Sequence, residues 1–211
     1  NIDGYKNVFS PVNHNSKEGI FEIQFLKGGY GEGSNYANNF APENSGTNVV
    51  AVGGTGGNNI PEMDIYNAYE EGDLRRDFSM SLGYYDNRKN NEWVESRYVC
   101  KFMDVPYQNN DASNNYPVIR YAEVLLNWIE AKAELATLGG PAVIQTDIDE
   151  SINKIRNRPI AEEAKALGVV KTADMKLDAL PDDPGRDVTV SPLLWEIRRE
   201  RRMEFAFEFS R

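Results

Sequence analysis

The sequence predicts a mainly α fold, tetratricopeptide-like helical hairpins overlaid by long loops, with a few short strands. Three observations carry that prediction. From residue 117 onward, apolar residues recur at helical spacing in segments closed by glycine or proline. Two of those segments are joined by a turn short enough to lay them antiparallel, like one tetratricopeptide unit. Residues 1–115 are instead rich in Asn, Gly and aromatics, with little periodicity. The 211 residues therefore read as one domain, loop-rich over 1–115 and helical over 116–211.

In chain order, the alternation of "IFEIQFL" (20–26) suits one strand. A helix is expected in "PEMDIYNAYEEGDLRRD", opened by Pro61, with Ile65, Ala68 and Tyr69 on one face and Gly72 as its stop. "SLGYYDNRKNNEWVESRYVCKF" reads as a strand pair about a polar turn. "YPVIRYAEVLLNWIEAKAELATLGG" projects Arg120, Glu123, Asn127, Glu130 and Glu134 onto one narrow stripe. The rest of its surface is apolar, so this helix must be covered on two sides. A second helix follows in "TDIDESINKIRNRP", its inner face formed by Ile148, Ile152 and Ile155. After the loop "DALPDDPGRDVTVSPLL", Ser191 caps a last helix with Pro192 at its first position.

Thirty-three acids against 23 bases give a net charge of −10, which argues against a nucleic-acid partner. One cysteine, Cys100, permits neither an internal disulfide nor a cysteine-based zinc site. No apolar run approaches the ~20 residues that span a bilayer.

The lone His14 sits in a polar loop without the motif that should accompany a catalytic triad, so it reads as a surface residue. "GGYGEGS" and "GGTGGNN" lack the Lys-Ser/Thr pair of a phosphate cradle and read as loop chemistry. Asp182, Asp183 and Asp187 offer oxygens to calcium but lack EF-hand spacing; a solvated turn is the better reading. No catalytic residue, metal ligand or cofactor is assigned. The candidate ligand-binding residues are Tyr30, Tyr36, Tyr84, Tyr85, Arg88 and Trp93, aromatics and a guanidinium among Asn and Asp in loops or edges. Flat apolar faces beside hydrogen-bonding groups suit sugar rings. The competing reading is that such aromatics pin loops to the core. Trp128 and Trp195 fall on apolar helical faces and are expected in the core.

The strings "NYPVIRYAEVLLNWIEAKAEL", "INKIRNRP" and "LLWEIRRERRMEFAFEFSR" resemble the carboxy-terminal signature of the SusD/RagB family of outer-membrane nutrient-binding lipoproteins. "EGIFEIQF" and "PEMDIYNAYEEGDLRRDFSM", with its Tyr-Glu-x-Gly-Asp-x-Arg-Arg pattern at Tyr69–Arg76, are similar to segments that precede it. The resemblance implies a surface protein that caps a SusC-like TonB-dependent transporter and passes it oligosaccharides without cutting them. It also implies attachment to the outer membrane on the cell-surface side, through a lipid anchor that this chain does not carry. Family members are far longer, so the chain is expected to be the later portion of one SusD-like domain. Their glycan contacts lie in variable loops, so the resemblance transfers no binding residue. A helical-repeat adaptor for proteins and a glycoside hydrolase are the competing functions. Arg198 and Arg202 have no acid three or four residues away in their own helix, so at least one should bond to the stripe of Glu123, Glu130 and Glu134.

Overall fold

The structure, a computed structural model, describes residues 4–10, 12–28, 31–36, 60–86, 89–102, 112–160, 162–166 and 169–208. Among them the order is α1 (Tyr5–Val8), β1 (Gly19–Ile23), α2 (Met63–Ala68), α3 (Leu74–Ser79), β2 (Met80–Asp86), β3 (Glu92–Val99) and β4 (Tyr116–Arg120). There follow α4 (Tyr121–Thr137), α5 (Gln145–Glu150), α6 (Ile152–Arg156), α7 (Glu162–Ala166), a 3₁₀ turn (Leu177–Ala179) and α8 (Pro192–Glu204). The described strands form two separate antiparallel pairs, β1 with β4 and β2 with β3.

β1 lies where the alternation put it, but its partner comes from residues read as the start of a helix. Pro117 pushes Tyr116 toward extended backbone, and β-branched Val118 and Ile119 follow. Pairing Phe21 with Ile119 and Ile23 with Tyr116 then holds the segment as β4. The predicted helix after Pro61 is also divided. α2 ends at Ala68, Gly72 turns the chain at φ +81°, and Asp73 caps α3 by accepting from the Arg75 amide at 2.9 Å.

The predicted second helix is two short ones that meet at Ser151. Its hydroxyl donates to the Asp147 carbonyl at 2.6 Å, a local bond that competes with the helical ladder. Ile148, Ile152 and Ile155 still face inward. They pack with Leu125, Leu126 and Ile129 of α4 and with Leu194 and Ile197 of α8 in the largest core cluster. Ser191 caps α8 as expected, accepting from the Leu194 amide at 3.3 Å. Both tryptophans expected in this core lie outside it. Trp128 is 41% exposed on the outer side of α4, and the half-buried Trp195 donates its indole N–H to Asp183 at 2.9 Å.

Arg198 bonds to Glu130 at 3.2 Å and to Glu134 at 2.7 Å, as the acidic stripe required. Arg202 pairs instead with Asp64 of α2. These partners are half exposed, and pairs of that kind contribute at most about 1 kcal/mol.

A larger ionic structure lies on the inner side of α8, where Glu200 and Glu204 are buried, and continues just past the helix end at the buried Glu208. Glu200 accepts from Arg75 at 2.6 Å and from Arg156 at 2.7 Å. Glu204 accepts from Arg75, Arg120 and Arg158, and Glu208 from Arg120 and Lys101. Glu18 bridges Arg120 and Arg158, while Asp73 holds Arg75. Five buried cations (Arg75, Lys101, Arg120, Arg156, Arg158) thus meet five buried acids (Glu18, Asp73, Glu200, Glu204, Glu208). The balance is what allows so many charges to leave water.

Burial raises the Glu204 carboxyl, but the guanidiniums of Arg158, Arg120 and Arg75 outweigh it and hold the group well below its ordinary value of 4.5. Glu200 is lowered in the same way, against its burial, by Arg75 and Arg156. A depressed carboxylate makes the unfolded chain bind more protons at acid pH. The stability it contributes is therefore complete above the ordinary carboxylate range and is lost as pH falls through and below it. Urea midpoints measured from pH 7 to pH 3 are expected to hold down to about 5 and then fall steeply; a flat profile to pH 3 contradicts the network.

Candidate functional site

The β2–β3 hairpin turns between Asp86 and Glu92. Asn90 and Asn91 both adopt positive φ, +52° and +59°, which asparagine tolerates better than most side chains. The Asn91 amide donates to the Asp86 carbonyl at 3.0 Å, closing the turn. This register sets Tyr85 opposite Trp93 and Gly83 opposite Glu95. Alternation puts Gly83, Tyr85, Trp93 and Glu95 on one face, up to the register shift between Ser81 and Gly83.

That face is an exposed aromatic shelf. Tyr85 is 54% and Trp93 49% exposed, and their rings meet edge to face with centroids 5.1 Å apart. Gly83 lets the indole lie against the strand, since a Cβ there would stand 2.4 Å from Trp93 Cζ2 and 2.5 Å from the Val94 carbonyl oxygen. Glu95 is exposed, and Arg97 lies 3.9 Å from Glu62. The shelf joins two ring surfaces to a carboxylate, groups that stack on sugar C–H faces and bond their hydroxyls. Gly83→Ala is expected to lift Trp93 and destabilise the protein by about 1 to 3 kcal/mol. Near-UV circular dichroism checks the ring pair, and an unchanged aromatic signal contradicts the packing.

The other predicted residues are placed differently. Tyr84 points to the opposite face, half buried against Tyr98 with centroids 6.4 Å apart. Tyr36 is wedged between Phe102 and Tyr116 and donates its hydroxyl to the Phe207 carbonyl at 3.3 Å, which makes it a loop anchor. Tyr30 and Arg88 lie outside the described residues, as does the "GGTGGNN" cluster. His14 is exposed. Asp183 and Asp187 accept from the Gly185 and Thr189 amides, which is turn chemistry. Burial pushes the Cys100 thiol up to about 12, far from reactive.

An open groove of about 1020 Å³ lies elsewhere, between α2, the 181–190 loop and α8. Its arginines are already engaged. Arg198 and Arg202 hold the acids named above, and Arg199 bonds the Ala68 carbonyl and Glu196. The shelf, with both rings uncovered, is therefore the stronger candidate for stacking a ligand.

A sequence model of the SusD family matches residues 75–211, well over half of the chain. The chain belongs to the SusD family. Solved SusD-like structures align along its whole length. Surface glycan-binding protein A from Bacteroides fluxus is 24% identical, with a TM-score of 0.63 over 100% of this chain and 42% of its own. NanU from Bacteroides fragilis is 26% identical, with a TM-score of 0.58 over 99% of this chain and 45% of its own. A SusD-like carbohydrate binding protein from Bacteroides fragilis is 22% identical, with a TM-score of 0.65 over 97% and 42%. The chain thus spans less than half the length of these relatives. No curated protein matches it.

SusD-family motifs quoted from the sequence meet in the ionic network: Asp73 and Arg75 after Tyr69, Arg120, Arg156 and Arg158, and the α8 glutamates. None of them lies on the shelf. Gly83 and Glu95 escaped the sequence reading, although "LGYYD" opposite "EWVE" holds the signal that finds them: once the strands are paired, alternation names the face.

Proposed function

We propose that this SusD-family chain belongs to a noncatalytic glycan-binding subunit, with the Tyr85–Trp93 shelf as its ligand platform. The observation that carries the reading is the exposure of both rings on one strand face, fixed in place by the hairpin register and Gly83. A protein-binding adaptor built on the same helices has no need to leave these aromatics uncovered. The neighbours described as surface glycan-binding and carbohydrate-binding proteins support the same class of ligand. In this reading the helices form tetratricopeptide-like hairpins, and the complete protein sits on the outer face of the outer membrane through a lipid anchor. There it captures oligosaccharides for a SusC-like TonB-dependent transporter. No described helix is long and apolar enough to cross a membrane. Isothermal titration against a broad panel of neutral and acidic oligosaccharides tests the proposal. Heat with at least one glycan, and no release of reducing sugar from it, is expected; silence across the panel overturns it.

A further inference from the structure

The groove between α2, the 181–190 loop and α8 contains a buried polar atom that the fold leaves unpaired. Glu196 is 1% exposed, and its two carboxylate oxygens are treated differently. Oε2 accepts from Arg199 at 2.9 Å, whereas Oε1 is buried with no hydrogen-bond partner among the described residues. The side chain lines this groove and, with Glu70 and Pro181, an adjoining cavity of about 300 Å³. Burial pushes the Glu196 carboxyl above its ordinary value, and the Arg199 guanidinium offsets this only in part. A buried carboxylate oxygen without a donor carries a free-energy cost that folds avoid.

The cations around it are committed elsewhere. Arg199 sends its Nε and Nη2 to the Ala68 carbonyl, and Arg156 is spent on Glu200, Glu70 and the Ala173 carbonyl. Arg198 and Arg202 hold Glu130, Glu134 and Asp64. Acceptors, by contrast, are in surplus, because five acids line the groove against three arginines. Of these, Asp187 stands exposed at the rim and commits one oxygen to Thr189. Trp195 adds an aromatic wall, fixed by its indole bond to Asp183 at 2.9 Å. Carboxylates only accept, so the missing partner must donate, and the surplus of acids disfavours an anion. Among the described residues no three acids, cysteines or histidines converge as metal ligands. We infer that the groove binds a small organic ammonium ligand, whose N–H answers Glu196 Oε1 while its alkyl part lies against Trp195. This site differs in chemistry from the Tyr85–Trp93 shelf and does not rest on it.

Fluorine NMR of the protein labelled with fluorotryptophan follows Trp93, Trp128 and Trp195 separately, each resonance assigned by its Trp→Phe variant. Putrescine is the probe, with butanediol as its uncharged match. Putrescine is expected to shift the Trp195 resonance saturably and to leave those of Trp93 and Trp128 in place, and butanediol to shift none. Glu196→Gln keeps the shape and removes the charge, and is expected to weaken putrescine binding roughly tenfold or more. Asp187→Asn, at the exposed rim, is the second variant; a loss of about 2- to 3-fold with an unchanged urea midpoint is expected. Equal binding of putrescine and butanediol, equal shifts of all three resonances, or unchanged affinity in either folded variant overturns the inference. So does a Trp195 resonance that putrescine does not move, which leaves Oε1 to a water molecule. Because no glycan enters these measurements, failure here is distinguishable from failure of the proposed function.

Discussion

Glu204→Gln is expected to lower folding stability by roughly 3 to 5 kcal/mol, the cost of stranding buried charge. The carboxylate is fully buried and accepts from Arg120 at 2.5 Å, Arg158 at 2.7 Å and Arg75 at 3.1 Å. The amide that replaces it keeps the shape, removes the charge, and turns an N–H₂ toward guanidiniums that have only donors. Five buried cations are then left with four buried acids, of which Glu18 must serve both Arg120 and Arg158, and Glu208 both Arg120 and Lys101. Glu134→Gln is the contrast. It removes a half-exposed partner of Arg198 and is expected to cost less than about 1 kcal/mol. Urea denaturation of both variants decides the matter, and equal midpoints for Glu204→Gln and the parent would show that the network is dispensable. A second arm is more discriminating. Adding Arg158→Met to Glu204→Gln removes one of the stranded charges, so the pair is expected to be less destabilised than the two single losses together.

The contrast between those two glutamates also shows what was legible in the sequence. Helical projection found Glu130 and Glu134 as partners for Arg198 because both ends of the contact lie on regular helices with clear stripes. It passed over Glu200 and Glu204 because glutamates every four residues look like a solvent face. Their partners lie far away in sequence, on the cap of α3 and at the ends of β4 and α6, and no local pattern points from one to another. β4 was missed for a related reason. Tyr116–Arg120 continues the apolar pattern of α4, and what makes it a strand is β1, about a hundred residues earlier. Trp128 sits on an apolar helical face, and type and spacing alone do not tell a covered face from the 41% exposed one it occupies. The candidate site divides in the same way: residue type puts Tyr85 and Trp93 in one group with Tyr36 and Tyr84 and does not say which of these rings are exposed. That separation needs the side of the strand and the ring contacts, which only pairing supplies.

Trp93→Ala combined with Tyr85→Ala is expected to weaken binding of any glycan found in the titration panel by roughly 30-fold or more, equivalent to about 2 kcal/mol at the 1.4 kcal/mol per tenfold conversion. Both rings are about half exposed, so their truncation removes little of the core, and urea midpoints should stay close to the parent's. Tyr36→Phe supplies the comparison. That ring is packed between Phe102 and Tyr116, and loss of its hydroxyl breaks the bond to the Phe207 carbonyl. The expected result is a small loss of stability with unchanged affinity. If the shelf variant binds its glycan as tightly as the parent, the ligand sits elsewhere, and the groove beside Trp195 becomes the place to look. If Tyr36→Phe weakens binding while Trp93→Ala does not, the aromatic roles are exchanged. Opposite responses of the two variants, affinity for one and stability for the other, are what follow when one ring pair faces the ligand and the other ring holds a loop.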